Sequence, residues 1–108
     1  MPVYNKLVRD RIPEIITKQG LSLTTRTLKA DEYLTELRTK LQEETSEFMA
    51  AESSSEAIEE LADMLEVIHA LAEAHGASVQ ELERIRIEKA DKRGGFKDRI
   101  YLIEVEDA

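Results

Sequence analysis

QEETSEF at positions 42–48 and EELADMLEVIHAL at positions 59–71 are the stretches that decide the fold. Both place apolar residues every three or four positions, the period of an α-helix and not of a strand. Around the first, Leu34, Leu37, Leu41, Phe48 and Ala51 share one face. The position after Leu41 that should complete this face is Glu44. Glu47 lies beside the same stripe one turn on, and Glu43 projects toward the polar side. Around the second, Ile58, Leu61, Leu65, Ile68 and Ala72 form a stripe that Met64, Val67 and Leu71 widen to more than half the circumference. Glu60 falls inside this arc and Asp63 at its edge, whereas Glu56, Glu59 and Glu66 point to the polar side.

Working outward, the chain divides into four helices. The first spans roughly Asp10 to Gln19 and is closed by Gly20, with Pro13 tolerated in the first turn. The second runs from an N-cap at Asp31 to about Glu52. The third follows Ser53–Ser55, where Ser53 and Glu56 fit a capping box, and stops at Gly76. The fourth starts at Ser78, with Glu81 as its capping partner, and ends before Gly94–Gly95. LSLTTRTL (21–28) and DRIYLIEV (98–105) read as strands able to pair as a small two-stranded β element. The expectation is one mainly α domain over residues 1–108. A third helix apolar on two sides calls for burial against a second subunit, hence a homodimer or a dimer of dimers.

Composition narrows the function. The chain has 108 residues, no cysteine and a net charge of −8. Thiol catalysis and thiolate metal sites are excluded. An acidic chain is a poor general binder of nucleic acid or anionic membrane. No apolar run approaches a membrane span, and the opening lacks a signal-peptide core, so a cytoplasmic location is expected.

A carboxylate on an apolar face is costly unless it is paired or holds a cation. Glu44/Glu47 and Glu60/Asp63 are i, i+3 pairs, so each pair shares one helix face. Two such pairs on helices joined by a short turn can converge. Oxygen-only ligands suit a hard divalent ion, Mg²⁺ or Mn²⁺. Solvated surface glutamates account for the same pairs if the inward phase is discounted, and periodicity leaves both readings open.

The whole order, Glu43-Glu44-x-x-Glu47 followed by Glu60-x-x-Asp63, resembles the signature of the MazG-like all-α nucleoside triphosphate pyrophosphohydrolases. That superfamily includes phosphoribosyl-ATP pyrophosphohydrolase and dimeric dUTPases. The opening YNKLVRDRIPEII and the later KADKRGGFKDRI are also similar to small stand-alone members, so the resemblance covers essentially the whole chain. In the fourth helix the family's basic and amide residues have no clear match.

The resemblance implies a four-helix bundle completed by oligomerisation. It implies hydrolysis of a nucleotide between its α- and β-phosphates, in a house-cleaning role or on phosphoribosyl-ATP in histidine biosynthesis. It places metal ligands at Glu44, Glu47, Glu60 and Asp63, with Mg²⁺ as cofactor and Mn²⁺ able to substitute. Glu43 is then the group that orients or deprotonates the attacking water. Lys89 and Arg93, four apart on one face, and Lys6 and Arg9 of the opening block are candidates for the phosphates. The dipole of the fourth helix explains its terminal cations equally well. A non-catalytic helical oligomerisation module is the competing reading. His69 and Phe48 fall on apolar stripes and read as core, and His75 as a helix-end residue.

Overall fold

Four helices organise the computed structural model, which describes residues 2–107: α1 (Ile12–Lys18), α2 (Ala30–Met49), α3 (Ser54–Ala74) and α4 (Val79–Arg93). The capping chemistry of α3 and α4 is as their sequences require. Ser53 Oγ accepts from the Glu56 backbone N–H at 3.1 Å, and Ser78 Oγ accepts from that of Glu81 at 3.1 Å. Each bond satisfies one orphan donor of a first turn. The box at Ser53 is shifted by one residue, because the Glu56 carboxylate accepts from the N–H of Glu52. At the other end of α3, the N–H of Ala77 reaches the carbonyl of Ala72 and that of Gly76 the carbonyl of Glu73. This Schellman turn needs a residue in the left-handed region, and Gly76 supplies it with φ of 88°.

Other boundaries differ from expectation. The first helix begins at Ile12, with Arg11 rather than Asp10 before it. The N-cap of α2 is Lys29, not Asp31. Lysine has no acceptor for the free N–H groups, and Glu32 compensates in part: its carboxylate accepts the Lys29 N–H at 3.2 Å. The same carboxylate accepts from both terminal nitrogens of the Arg26 guanidinium, Nη2 at 3.0 Å and Nη1 at 3.2 Å. The second helix stops at Met49, three residues short of Glu52, leaving a four-residue turn into α3.

The β element does not form: no strand occurs among the described residues. Residues 21–27 are exposed, and Arg26 is held by the start of α2. Arg99 sits in the left-handed region at φ of 58°, which kinks the tail where a strand would have to begin. Ile100, Tyr101, Leu102, Ile103 and Val105 are all exposed. A two-stranded pair with no third strand or helix beneath it has too little apolar contact to persist.

The core is the seam of the α2–α3 hairpin. Leu37 and Val67 are its buried apolar residues, flanked by half-buried Leu34, Leu41, Phe48, Met64, Ile68 and Leu71. The α4 helix rests on α3 and makes no contact with α2. The α3 helix turns its Glu60–Val67–Leu71 edge toward α2. The first half of its longer stripe, Ile58, Leu61 and Leu65, is exposed. The radius of gyration is 18.7 Å, against about 13 Å for a compact chain of this length. One copy therefore buries only part of what its sequence marks as core.

Candidate metal centre

The stripe on α2 that predicts Leu37 as core also carries Glu44 inward, and Glu44 is 8% exposed. The turn at 50–53 folds α3 back so that Glu60 meets it. Glu44, Glu47 and Glu60 each offer a carboxylate oxygen within 4.8 Å of the other two. Glu44 Oε2 and Glu60 Oε2 are buried with no hydrogen-bond partner among the described residues. Carboxylates cannot satisfy one another while all are ionised, so these oxygens need a cation or a proton.

Burial, and then the charge of nearby Glu47, raises the Glu44 carboxyl above the ordinary carboxylate range. Burial raises Glu60 to about 7, reinforced by its contacts with Glu47 and Glu44. A proton shared within the group is how the centre limits its own repulsion without a metal. An all-oxygen set of this kind fits a hard divalent cation.

Asp63 lies on the same side of α3, close enough for its charge to act on Glu44. It stands outside the three-carboxylate group and has a partner of its own: Arg9 Nη2 donates to Asp63 Oδ1 at 2.7 Å. Lys40 is a second cation at the rim. Its Nζ lies 3.9 Å from Glu43 Oε2 and 3.9 Å from Glu44 Oε1. Lys40 was not among the sequence candidates, although its i, i+4 relation to Glu44 was a usable signal. Glu43 is exposed beside Glu44. Lys6 stacks over the Tyr4 ring at 5.5 Å in the segment that carries Arg9. Lys89 and Arg93 are exposed on the last turns of α4 and join none of the ion pairs of the described residues. His69 is half-buried on α3, near enough to α4 for its charge to act on Glu83. His75 is the C-cap of α3. An open surface hollow on α4, with Val79, Glu83 and Ile87 in its wall, contains none of these carboxylates.

A mainly helical chain with an inward carboxylate group on a helical hairpin is the class defined by fold and site. The chain belongs to the phosphoribosyl-ATP pyrophosphohydrolase family, whose sequence profile matches residues 5–90. The family takes its name from pyrophosphohydrolase chemistry on a nucleotide. An uncharacterized protein of Mycolicibacterium smegmatis is 48% identical over 54 residues, which are 50% of this chain and 55% of that protein. The match thus spans about half the length of that curated relative. No solved structure matches the chain. Among the described residues, no helix is long and apolar enough to cross a membrane.

Proposed function

We propose that this chain hydrolyses a nucleoside triphosphate or related nucleotide between the α- and β-phosphates, releasing a monophosphate and pyrophosphate. The observation that carries the reading is the buried Glu44, with an unpartnered oxygen, grouped with Glu47 and Glu60. A scaffold gains nothing by keeping that charge inside. Glu44, Glu47, Glu60 and Asp63 would hold Mg²⁺, with Mn²⁺ able to substitute. When bound, the ion neutralises phosphate charge and acidifies water. Glu43, at the exposed rim, is assigned to orient the attacking water and accept its proton. Lys6, Arg9, Lys89 and Arg93 are assigned to the phosphate oxygens, where charge-assisted hydrogen bonds are strongest. The cations at the rim and the metal together let a chain of charge −8 bind a polyanion.

The working unit is a homodimer or a dimer of dimers, in the cytoplasm, with neither nucleic acid nor membrane as partner. The uncovered Ile58–Leu61–Leu65 face of α3 supports association. Phosphoribosyl-ATP is the second substrate reading, favoured by the name of the matched family.

The test is pyrophosphate release from a panel of ribo- and deoxyribonucleoside triphosphates plus phosphoribosyl-ATP, with and without Mg²⁺. Release should require Mg²⁺ and give a monophosphate. Glu47→Gln should lower it by more than about 100-fold, beyond the usual effect of a residue that only supports a ligand. Full activity in Glu47→Gln sinks the carboxylate centre. A folded protein that neither releases pyrophosphate nor binds Mg²⁺ is the non-catalytic module instead.

A further inference from the structure

The segment before α1 is tied to the acidic centre by one side chain. Leu7 and Val8 are half-buried and seat the segment, while its other side chains are exposed. Asn5 turns the chain at φ of 44°, a conformation asparagine tolerates better than most residues. The Arg9 carbonyl accepts the Ile12 N–H at 3.0 Å, which fixes Arg9 to the first turn of α1. Its guanidinium then reaches 54 positions along the chain to Asp63. The Arg9 side chain is 58% exposed and that of Asp63 41%. Water screens such a pair, so it is worth little as a staple and is readily exchanged.

Asp63 is also the carboxylate with the least independence. A divalent cation held by Glu44, Glu47 and Glu60 that also drew on Asp63 would compete with the Arg9 guanidinium for that carboxylate. Two cations drawing on one carboxylate repel each other. Asp63 is a single carboxylate, and its charge would be divided between the metal ion and the guanidinium while both are present. A nucleotide's phosphates would give the displaced guanidinium anionic partners other than Asp63.

We propose that Arg9 is a resident counter-ion of the centre: it occupies Asp63 until a divalent cation arrives, is displaced, and then binds the phosphates of the substrate. The proposal rests on the metal reading given above and adds an order of events to it. Metal and Arg9 compete for Asp63 in the absence of nucleotide, and cooperate once phosphate is present. The opposite arrangement is chemically available. In it Arg9 keeps Oδ1, steadies Asp63 and lets Oδ2 reach the metal, so that losing Arg9 weakens metal binding.

Calorimetric Mg²⁺ titration of the full chain without nucleotide separates the two. Arg9→Gln should tighten Mg²⁺ binding by about three- to fivefold, the most that an ion pair of this exposure can hold back. Arg11→Gln removes the same charge two residues away, from a side chain in none of the ion pairs of the described residues. It should change Mg²⁺ binding less than twofold. The same Arg9→Gln protein should show a raised KM for the nucleotide, with kcat less affected. Unchanged or weaker Mg²⁺ binding in Arg9→Gln overturns the proposal while leaving the metal centre in place. Equal tightening by Arg11→Gln overturns it as well, because the effect is then the general field. If wild type binds no Mg²⁺, the centre itself is misread and the proposal falls with it.

Discussion

Glu44→Leu should make the metal-free protein more stable, although it destroys the centre. Glu44 stands on the apolar face of α2 between Leu41 and Phe48, with its side chain 11% exposed. One of its oxygens is buried and unpartnered. Leaving such a group buried costs about 1–3 kcal/mol. Leucine at the same site adds part of the roughly 1.5–3 kcal/mol that full burial of its side chain would give. It also relieves repulsion on Glu47 and Glu60. A net gain of about 2 kcal/mol is a conservative sum, and raises Tm by roughly 8–16 °C in a chain of this size. The assay is thermal unfolding in EDTA at one fixed protein concentration, because association also shifts Tm. Repeating it in Mg²⁺ supplies the contrast. Wild type gains about 2.7 kcal/mol when Mg²⁺ is at 100 times its Kd, whereas the variant gains little. The order of stabilities should therefore close up or reverse when Mg²⁺ is added. A variant less stable than wild type in EDTA would refute the reasoning, as would equal Mg²⁺ stabilisation of both proteins.

Three further outcomes follow from the same geometry. Glu60 is raised from 4.5 to about 7 in the metal-free fold, so the folded state holds the extra proton between those values. Metal-free stability should then rise as pH falls from above 7 to 4.5, and Mg²⁺ affinity should fall over the same interval; urea midpoints in EDTA and calorimetry at pH 5.5 and 8 check the two signs. Leu65→Glu places a charge in the uncovered stripe of α3 and should shift the light-scattering mass to that of a monomer; an unchanged mass would show that this stripe faces solvent in the assembly. Ser53→Ala removes the N-cap of α3 and should cost about 1 kcal/mol, read as a lower Tm with Mg²⁺ binding retained per folded molecule.

The parts of the fold that could be read along the chain are those fixed by neighbours three or four residues away. The α2 stripe is one, and it exposed Glu44 as an acid in a core position. The caps at Ser53 and Ser78 and the glycine stop at Gly76 are others. The misreadings have a different origin. LSLTTRTL and DRIYLIEV have strand composition, but a strand exists only with a partner and a covered face, and local pattern does not report either. Asp31 has the right chemistry for an N-cap, yet the cap of α2 falls two residues earlier, where Glu32 accepts the Lys29 N–H and pairs with Arg26. Arg9 was legible as a basic residue near the site but its contact with Asp63 was not, because nothing local links positions 9 and 63. On α3 the first half of the longer apolar stripe, Ile58, Leu61 and Leu65, proved to be exposed. The hairpin is instead aligned by the narrower edge that carries Glu60 and Val67.

The turn at 50–53 has a consequence for how the molecule comes into being. Glu44, Glu47 and Glu60 all belong to the one helical hairpin that this turn closes. The loop that must close to join positions 47 and 60 is short, so its entropic cost is small. Contacts this local are among the fastest a chain can make. Nothing downstream of α3 is needed to bring the three acids together. Their mutual repulsion is accordingly present from the first compaction of the hairpin, and ions in the surrounding solution can influence the speed of folding as well as its end point. The subunit association proposed above would use the outer face of α3, and would therefore follow the meeting of the acids.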